Sequence, residues 1–193
     1  MVANVTEDGA GTNRGQARSY INQSSLKPLK ITRLLKWQNL LQLLVVIALY
    51  LGIQAYHKRN TVSGFAPSLY GTLLDGSAFD PDLYKGRSYM VHFWATWCSV
   101  CRLEQGSISG IAEDYPIITI ASQSGTNEEV AKFVKDQGLH FPVLVDNNGQ
   151  WAKSFGVQAY PTSFIVNGEG KIRFVEVGYT TELGLRSRLS FSQ

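Results

Sequence analysis

The chain has 193 residues, of which 44% are hydrophobic, so it can form one domain of ordinary size plus accessory segments. Its net charge of +3 is too small to indicate a nucleic-acid-binding protein, and no nucleic-acid motif is present. The basic residues cluster near the N-terminus, where a membrane topology explains them.

The first part of the chain predicts a tail and a membrane anchor. Residues 1–36 are rich in Gly, Asn, Gln and Ser and bury too little apolar surface to offset their ordering entropy, so we expect disorder. Residues 37–56, WQNLLQLLVVIALYLGIQAY, form an uncharged run close to the ~20 residues that a bilayer core requires. A buried core helix would normally show a polar face, and a signal peptide would need a better cleavage site than GIQAYHKRN offers. We therefore predict an uncleaved transmembrane helix.

The charges on either side of this helix predict its orientation. Six Lys or Arg precede it, against Lys58 and Arg59 just after it. The positive-inside bias then keeps the N-terminus in the cytoplasm and exports everything beyond Tyr56. We assign residues 57–66 to a linker and residues 67–193 to an extracytoplasmic domain.

Strand and helix patterns alternate along the exported part. Asp75-Gly76 between two apolar runs indicates a hairpin, Tyr89–Trp94 a buried strand, and residues 98–113 a helix. The predicted elements that follow are a strand at PIITIAS, a helix at Asn127–Gln137, a strand at FPVLVD, a short helix at Trp151–Phe155, and a hairpin of TSFIV and KIRFVEV joined by Asn167-Gly168. This alternation predicts an α/β domain with a central, partly parallel sheet covered by helices on both sides.

The only two cysteines, Cys98 and Cys101, stand at the junction between the Tyr89–Trp94 strand and the next helix. The free N–H groups and the dipole of a helix N-terminus favour an anion, so Cys98 should be the more acidic and reactive thiol. Cys101, one turn further in, should be more buried. Cys98 would attack a partner disulfide and Cys101 would resolve the mixed disulfide; the reverse steps would oxidise a dithiol.

Three other interpretations of this pair compete. The first is that two structural cysteines are neighbours by accident. The second is a structural zinc site, which needs four ligands. No second C-x-x-C is present, and His57, His92 and His140 are scattered. A copper site of two thiolates and possibly His92 agrees with the soft-ligand preference of copper and stays an alternative.

The stretch FWATWCSVC, followed by FPVLVD, FGVQAYPTSFIV and a late Gly178, resembles the thioredoxin-like proteins of the TlpA/ResA/CcmG group. Within that group, a membrane-tethered domain of this size most resembles the suppressor-of-copper-sensitivity D (ScsD) type of Gram-negative bacteria. The resemblance covers about residues 67–193 and the anchor. It implies a thioredoxin-like fold, a protein-disulfide oxidoreductase in the inner membrane with a periplasmic domain, a link to copper tolerance, and no organic cofactor.

The resemblance also implies roles for individual residues. Trp97, Cys98 and Cys101 match the family's active-site turn and its redox-active disulfide. Pro161 matches the cis-proline that faces the thiols, and a cis X-Pro bond is a minority form that the fold must impose. Beside the disulfide it exposes the backbone of Tyr160 for strand-like pairing with a substrate peptide.

One further match and two departures complete the comparison with the family. Glu104 falls where the reductases of this group keep an acid, on the same face of the helix as Cys101, and could exchange a proton with Cys101. The alternative is a solvated glutamate. Val100 stands where the family often has proline, which alters the reduction potential. His92, six residues before Cys98, replaces the buried aspartate of thioredoxins. We expect it to be neutral, buried and hydrogen-bonded; a proton relay or copper ligand is the alternative.

These expectations describe a membrane-tethered periplasmic thiol:disulfide oxidoreductase that reduces protein disulfides. A reductase in an oxidising compartment needs a membrane electron donor, which by resemblance is of the DsbD or ScsB kind. The alternatives are a disulfide oxidant or isomerase, and a copper-binding or copper-delivery module.

Overall fold

The computed structural model describes residues 37–59 and 61–192, so the segment 1–36, predicted to be disordered, lies outside the described residues. The first helix, α1, spans Trp37–Lys58. Among the described residues it is the one helix long and apolar enough to cross a membrane, by length and composition. Its apolar window Asn39–Tyr56 is not buried in the structure, whereas the core helix of a soluble protein is mostly buried.

The rest of the described chain alternates strands and helices, largely as predicted. In chain order the elements are β1 (Gly64–Phe65), β2 (Gly71–Thr72), β3 (Ala78–Phe79), a 3₁₀ helix (Pro81–Tyr84), β4 (Tyr89–Trp94), α2 (Ser99–Asp114), β5 (Ile117–Ser122), α3 (Asn127–Asp136), β6 (Val143–Asp146), α4 (Gln150–Ser154), β7 (Thr162–Val166), β8 (Lys171–Val177) and α5 (Glu182–Phe191).

Six strands form one mixed sheet in the order β1-β8-β7-β4-β5-β6, and β2 and β3 form the predicted hairpin around Asp75-Gly76. β4, β5 and β6 are parallel, whereas β7 is antiparallel to both β4 and β8. The sheet is therefore the predicted central mixed sheet of an α/β fold.

The strand β4 is the centre of the domain, and all six of its residues are buried. Alternate side chains point to opposite faces, as strand geometry requires. Phe93 packs on one face against Phe155 and Phe164, with ring centroids 5.1 and 5.8 Å away. Met90 lies in the other cluster, with residues of α2 and α5. Helices thus cover a strand that is apolar on both faces, as parallel sheets require.

The sequence prediction misses the 3₁₀ helix Pro81–Tyr84, and two further elements depart from it. Gly64 and Phe65, assigned to the linker, form β1 and pair with Ile172 and Lys171 of β8, so the predicted linker 57–66 extends too far. The final helix α5 was not predicted. Its only buried apolar side chains are Leu185 and Leu189, among Arg and Ser, so its helical period is weak in the sequence.

A close backbone approach gives a test of this packing. A Cβ at Gly168 would lie 2.6 Å from the carbonyl carbon of Gly86, because the β7–β8 turn and the chain before β4 share a hydrogen bond. Gly168→Ala should therefore lower the free energy of unfolding by about 1–3 kcal/mol, measured by urea denaturation.

The matched control for this substitution is Gly106→Ala on the exposed side of α2, where an added Cβ meets nothing within 4 Å. It should raise stability by about 0.5–1 kcal/mol, because alanine is the better helix former. Equal shifts in the two variants would contradict the close approach at Gly168.

Candidate active site

The two cysteines lie where β4 turns into α2. Cys98 is the N-cap residue of the helix, and the Cys101 N–H donates to the Cys98 Sγ atom at 3.1 Å. The two residues form a disulfide with their Cα atoms 5.3 Å apart. As predicted, Cys101 is the more buried, with 1% of its surface exposed against 7% for Cys98.

This placement favours a thiolate at Cys98 once the disulfide is opened. The first N–H groups of α2 have no partner within the helix, and one of them already points at the Cys98 sulfur. Together with the helix dipole they stabilise negative charge at that atom. Cys98 can therefore act as the nucleophile, while Cys101 is too buried to meet a client first.

The loop before β7 faces the disulfide. The Tyr160–Pro161 peptide bond is cis, and Pro161 is buried. The Tyr160 carbonyl oxygen lies 3.7 Å from the Cys98 Sγ atom. The Gly178 N–H donates to the Pro161 carbonyl at 2.8 Å, which ties the loop to the end of β8. The backbone of Tyr160 thus lies beside the Cys98 sulfur.

Trp97 presents an exposed aromatic surface beside Cys98. It is 59% exposed, and its indole N–H donates to the Gln123 carbonyl at 3.0 Å. Its ring meets the Tyr160 ring edge-to-face at a centroid distance of 5.7 Å. Trp97 and Tyr160 therefore form one aromatic surface next to the reactive sulfur.

Glu104 is a buried acid of α2, three residues after Cys101. It is 1% exposed, and its Oε1 atom accepts the Thr180 N–H at 3.0 Å. Among the described residues, its Oε2 atom has no hydrogen-bond partner. Burial raises the pKa of Glu104 from 4.5 to about 7, and the bond from Thr180 opposes the rise only in part. The alternative of a solvated glutamate is therefore wrong.

His92 is buried and neutral, as expected. It is 2% exposed, its Nδ1 atom shares a hydrogen bond of 2.8 Å with the Ser163 hydroxyl, and burial lowers its pKa to about 3. No group of three or more His, Cys, Asp or Glu that could hold a metal occurs among the described residues. The structure thus does not place His92 with the two sulfurs in a copper site.

The sequence predicted the residues at the sulfurs but not those that hold them. The backbone N–H of Thr180, which binds Glu104, carries no signature in the sequence. The same is true of Gln123 and Ser124, which contact the turn before Cys98. Their stretch, Ser-Gln-Ser-Gly, indicates a turn, yet its composition does not say which part of the chain it supports.

Comparison with known proteins settles the family. Residues 61–188 match the Redoxin family. The chain belongs to that family. It is 31% identical over 133 residues to the thiol-disulfide oxidoreductase ResA of Bacillus cereus, covering 66% of this chain and 76% of that protein.

Two further relatives extend the match. A thioredoxin-like protein of Haemophilus influenzae is 28% identical over 167 residues, which cover 86% of this chain and 98% of that protein. The crystal structure of the exposed lipoprotein thioredoxin Etrx1 of Streptococcus pneumoniae superposes with a TM-score of 0.59 at 26% identity. The superposition covers 65% of this chain and 99% of the Etrx1 chain. The Redoxin domain is therefore a thioredoxin-like thiol-disulfide oxidoreductase of the ResA type.

The buried acid predicts how stability depends on pH. Because the pKa of Glu104 is higher in the folded state, folding is penalised once the unfolded state releases this proton and the folded state does not. The oxidised protein should therefore lose stability relative to Glu104→Gln as pH rises from about 4.5 to about 7. The loss should total on the order of 3 kcal/mol and then stay constant.

The denaturation midpoints of oxidised wild type and oxidised Glu104→Gln across this pH range measure this loss. Ionisable groups that both proteins share contribute equally and cancel in the comparison. Glu113→Gln, an exposed glutamate of the same helix, is the matched control. A stability difference between wild type and Glu104→Gln that does not change with pH would show that folding does not raise the pKa of Glu104.

Proposed function

We propose that the protein reduces protein disulfides in the periplasm while α1 holds it in the inner membrane of a bacterium. Residues 1–36 would then lie in the cytoplasm, 37–56 in the bilayer and the Redoxin domain outside. The observation that carries the proposal is the Cys98–Cys101 disulfide at the start of α2, facing the Tyr160–Pro161 loop. The length and apolar character of α1 and the Lys/Arg asymmetry around it support the topology.

The first step forms a mixed disulfide. The Cys98 thiolate attacks one sulfur of the client disulfide; a Cys98–client S–S bond forms, the client S–S bond breaks, and one client thiolate leaves and takes up a proton. Trp97 contacts the client beside the sulfur, and the Tyr160 carbonyl accepts a hydrogen bond from the client backbone. The catalytic roles are thus Cys98 as nucleophile and Trp97, Tyr160 and Pro161 as the substrate surface.

The second step releases the client. Cys101 loses its proton to the Glu104 carboxylate and attacks the Cys98 sulfur. The Cys98–Cys101 bond forms, the Cys98–client S–S bond breaks, and the second client thiolate leaves and takes up a proton. The client gains two electrons, and the dithiol of this protein is oxidised. Glu104 suits this role because a pKa of about 7 lets it accept and return a proton near neutral pH. Its Oε2 atom is the one not engaged by Thr180.

A third reaction must restore the dithiol. In an oxidising compartment this requires a membrane protein that supplies two electrons through its own thiols, and a DsbD- or ScsB-type donor has that chemistry. Tethering keeps the domain beside such a donor, which favours reduction over the oxidant or isomerase role. Membership of the ScsD subgroup, with clients damaged by copper, is the finer form of this proposal. It rests on the W-C-x-x-C motif combined with a membrane helix.

The order of attack can be tested by trapping. Cys101→Ser should accumulate mixed disulfides through Cys98, because the resolving thiol is gone while the nucleophile remains. Non-reducing electrophoresis after mixing with an oxidised peptide would show the adduct. Cys98→Ser is the matched control and should trap little, since Cys101 is buried. Equal trapping by both variants would contradict the assigned roles.

The direction of electron flow can be tested by the reduction potential. Tryptophan fluorescence in thiol/disulfide buffers reports the redox state, because Trp97 adjoins Cys98. We expect a midpoint closer to about −270 mV, typical of a reductant, than to about −120 mV, typical of an oxidant. A midpoint near the second value would reverse the proposed direction.

A further inference from the structure

Both backbone polar groups of Thr96, two residues before Cys98, are held by side chains. The Thr96 N–H donates to the Ser124 hydroxyl at 3.0 Å, and this hydroxyl donates in turn to the Ser122 carbonyl at 2.9 Å. The Thr96 carbonyl accepts a hydrogen bond of 3.0 Å from the Arg102 guanidinium. The chain that enters the active-site turn is therefore fixed by a serine of the loop after β5 and by an arginine of α2.

The bond to Thr96 places the positive charge of Arg102 at the N-terminal end of α2. Arg102 follows Cys98 by four residues, a spacing that brings two residues onto the same side of a helix. Helical side chains also lean toward the N-terminus, and this guanidinium reaches back to a residue that precedes Cys98. The charge therefore lies at the turn of α2 that begins with the reactive sulfur.

The charges at this end of α2 suit an anion that the helix itself does not supply. Helix N-termini favour acidic side chains, because the dipole and the free N–H groups create a positive potential there. The first turn of α2 contains no acidic residue. Among the described residues no ion pair joins Arg102 to a carboxylate. The anion left to occupy this position is the Cys98 thiolate, which forms when the disulfide is reduced.

We propose that Arg102 is a positioning residue for the nucleophile: bound to the Thr96 carbonyl, its guanidinium favours the thiolate of Cys98 and so lowers the pH at which this sulfur becomes reactive. The inference rests on the proposed function, since it takes Cys98 as the attacking sulfur. It adds to the helix N–H groups a second source of stabilisation, and this one can be removed by changing a single side chain.

Other ionisable side chains lie on the elements of the apolar cluster that contains Cys98. They are Glu104 on α2, the charged residues of α3, Asp146 at the end of β6, Asp75 of the β2–β3 hairpin, and Tyr160. All of them stay the same in the variants compared below. A difference between the pH profiles of wild type and an Arg102 variant therefore reports the arginine.

The experiment measures how fast iodoacetamide alkylates Cys98 in the pre-reduced full-length protein as a function of pH, because only the thiolate reacts. Mass spectrometry identifies the modified cysteine. Arg102→Gln removes the charge and keeps an N–H donor. It should raise the midpoint of the pH profile by about half a unit, the size of an interaction with an exposed charge, so that alkylation well below the midpoint slows about threefold. Arg102→Lys keeps the charge and should keep most of the wild-type midpoint.

Arg173→Gln is the matched control for net charge. Arg173 is exposed on β8 and lies four residues before Val177, where β8 pairs with Thr162 beside the disulfide, so its loss should keep the wild-type midpoint. Ser124→Ala releases the other side of Thr96 without a change of charge. The proposal is overturned if Arg102→Gln keeps the wild-type midpoint, or if either Arg102→Lys or Ser124→Ala shifts it as far as Arg102→Gln does.

The alkylation measurement needs no client, so its outcome is separate from that of the proposed function. If the wild-type protein is alkylated at Cys98 but reduces no peptide disulfide, the proposed function fails, and the Arg102 variants still test the inference. If the alkylated residue is Cys101, the assigned nucleophile is wrong and the inference fails with it.

Discussion

The hydrogen bond from the Cys101 N–H to the Cys98 sulfur, 3.1 Å long, is the contact on which the chemistry of this domain depends. It exists because a fully buried strand, β4, ends directly before a helix whose first residues have free N–H groups. Any displacement of the turn between them would move the sulfur away from both the helix N-terminus and the Tyr160 carbonyl. Much of the surrounding structure acts to fix that turn.

Burial then decides the charge state of two titratable side chains, Glu104 and His92. It raises the pKa of Glu104 to about 7 and lowers that of His92 to about 3, so desolvation favours the neutral form of both. For His92 burial is the cause of the lowered pKa, and the imidazole serves as a hydrogen-bonding core residue next to Ser163. Glu104 differs because the Thr180 N–H stabilises its ionised form, leaving the pKa close to neutrality. The acid is therefore the group suited to move a proton.

The strands β4 to β8, the helix at Cys98 and the cysteine pair could be predicted because each has a local signature, either apolar periodicity or a turn motif. The strand β1 could not, because two residues form a strand only by pairing with β8, and nothing in Gly64-Phe65 records that partner. The bond from Thr180 to Glu104 joins residues 76 positions apart through a backbone N–H, which every residue but proline has. Sequence patterns therefore reveal reactive groups better than the groups that hold them.

The placement of the supporting residues follows from topology. Since β4, β5 and β6 are parallel, their carboxyl ends meet at one edge of the sheet. Cys98 follows β4, Ser122 ends β5 and Asp146 ends β6, and the last two are direct neighbours in the register. The antiparallel strand β7 begins at the same edge, which brings Tyr160 and Pro161 opposite the cysteines. One edge thus collects the two cysteines, the Tyr160–Pro161 loop that faces them, and the buried carboxylate of Asp146.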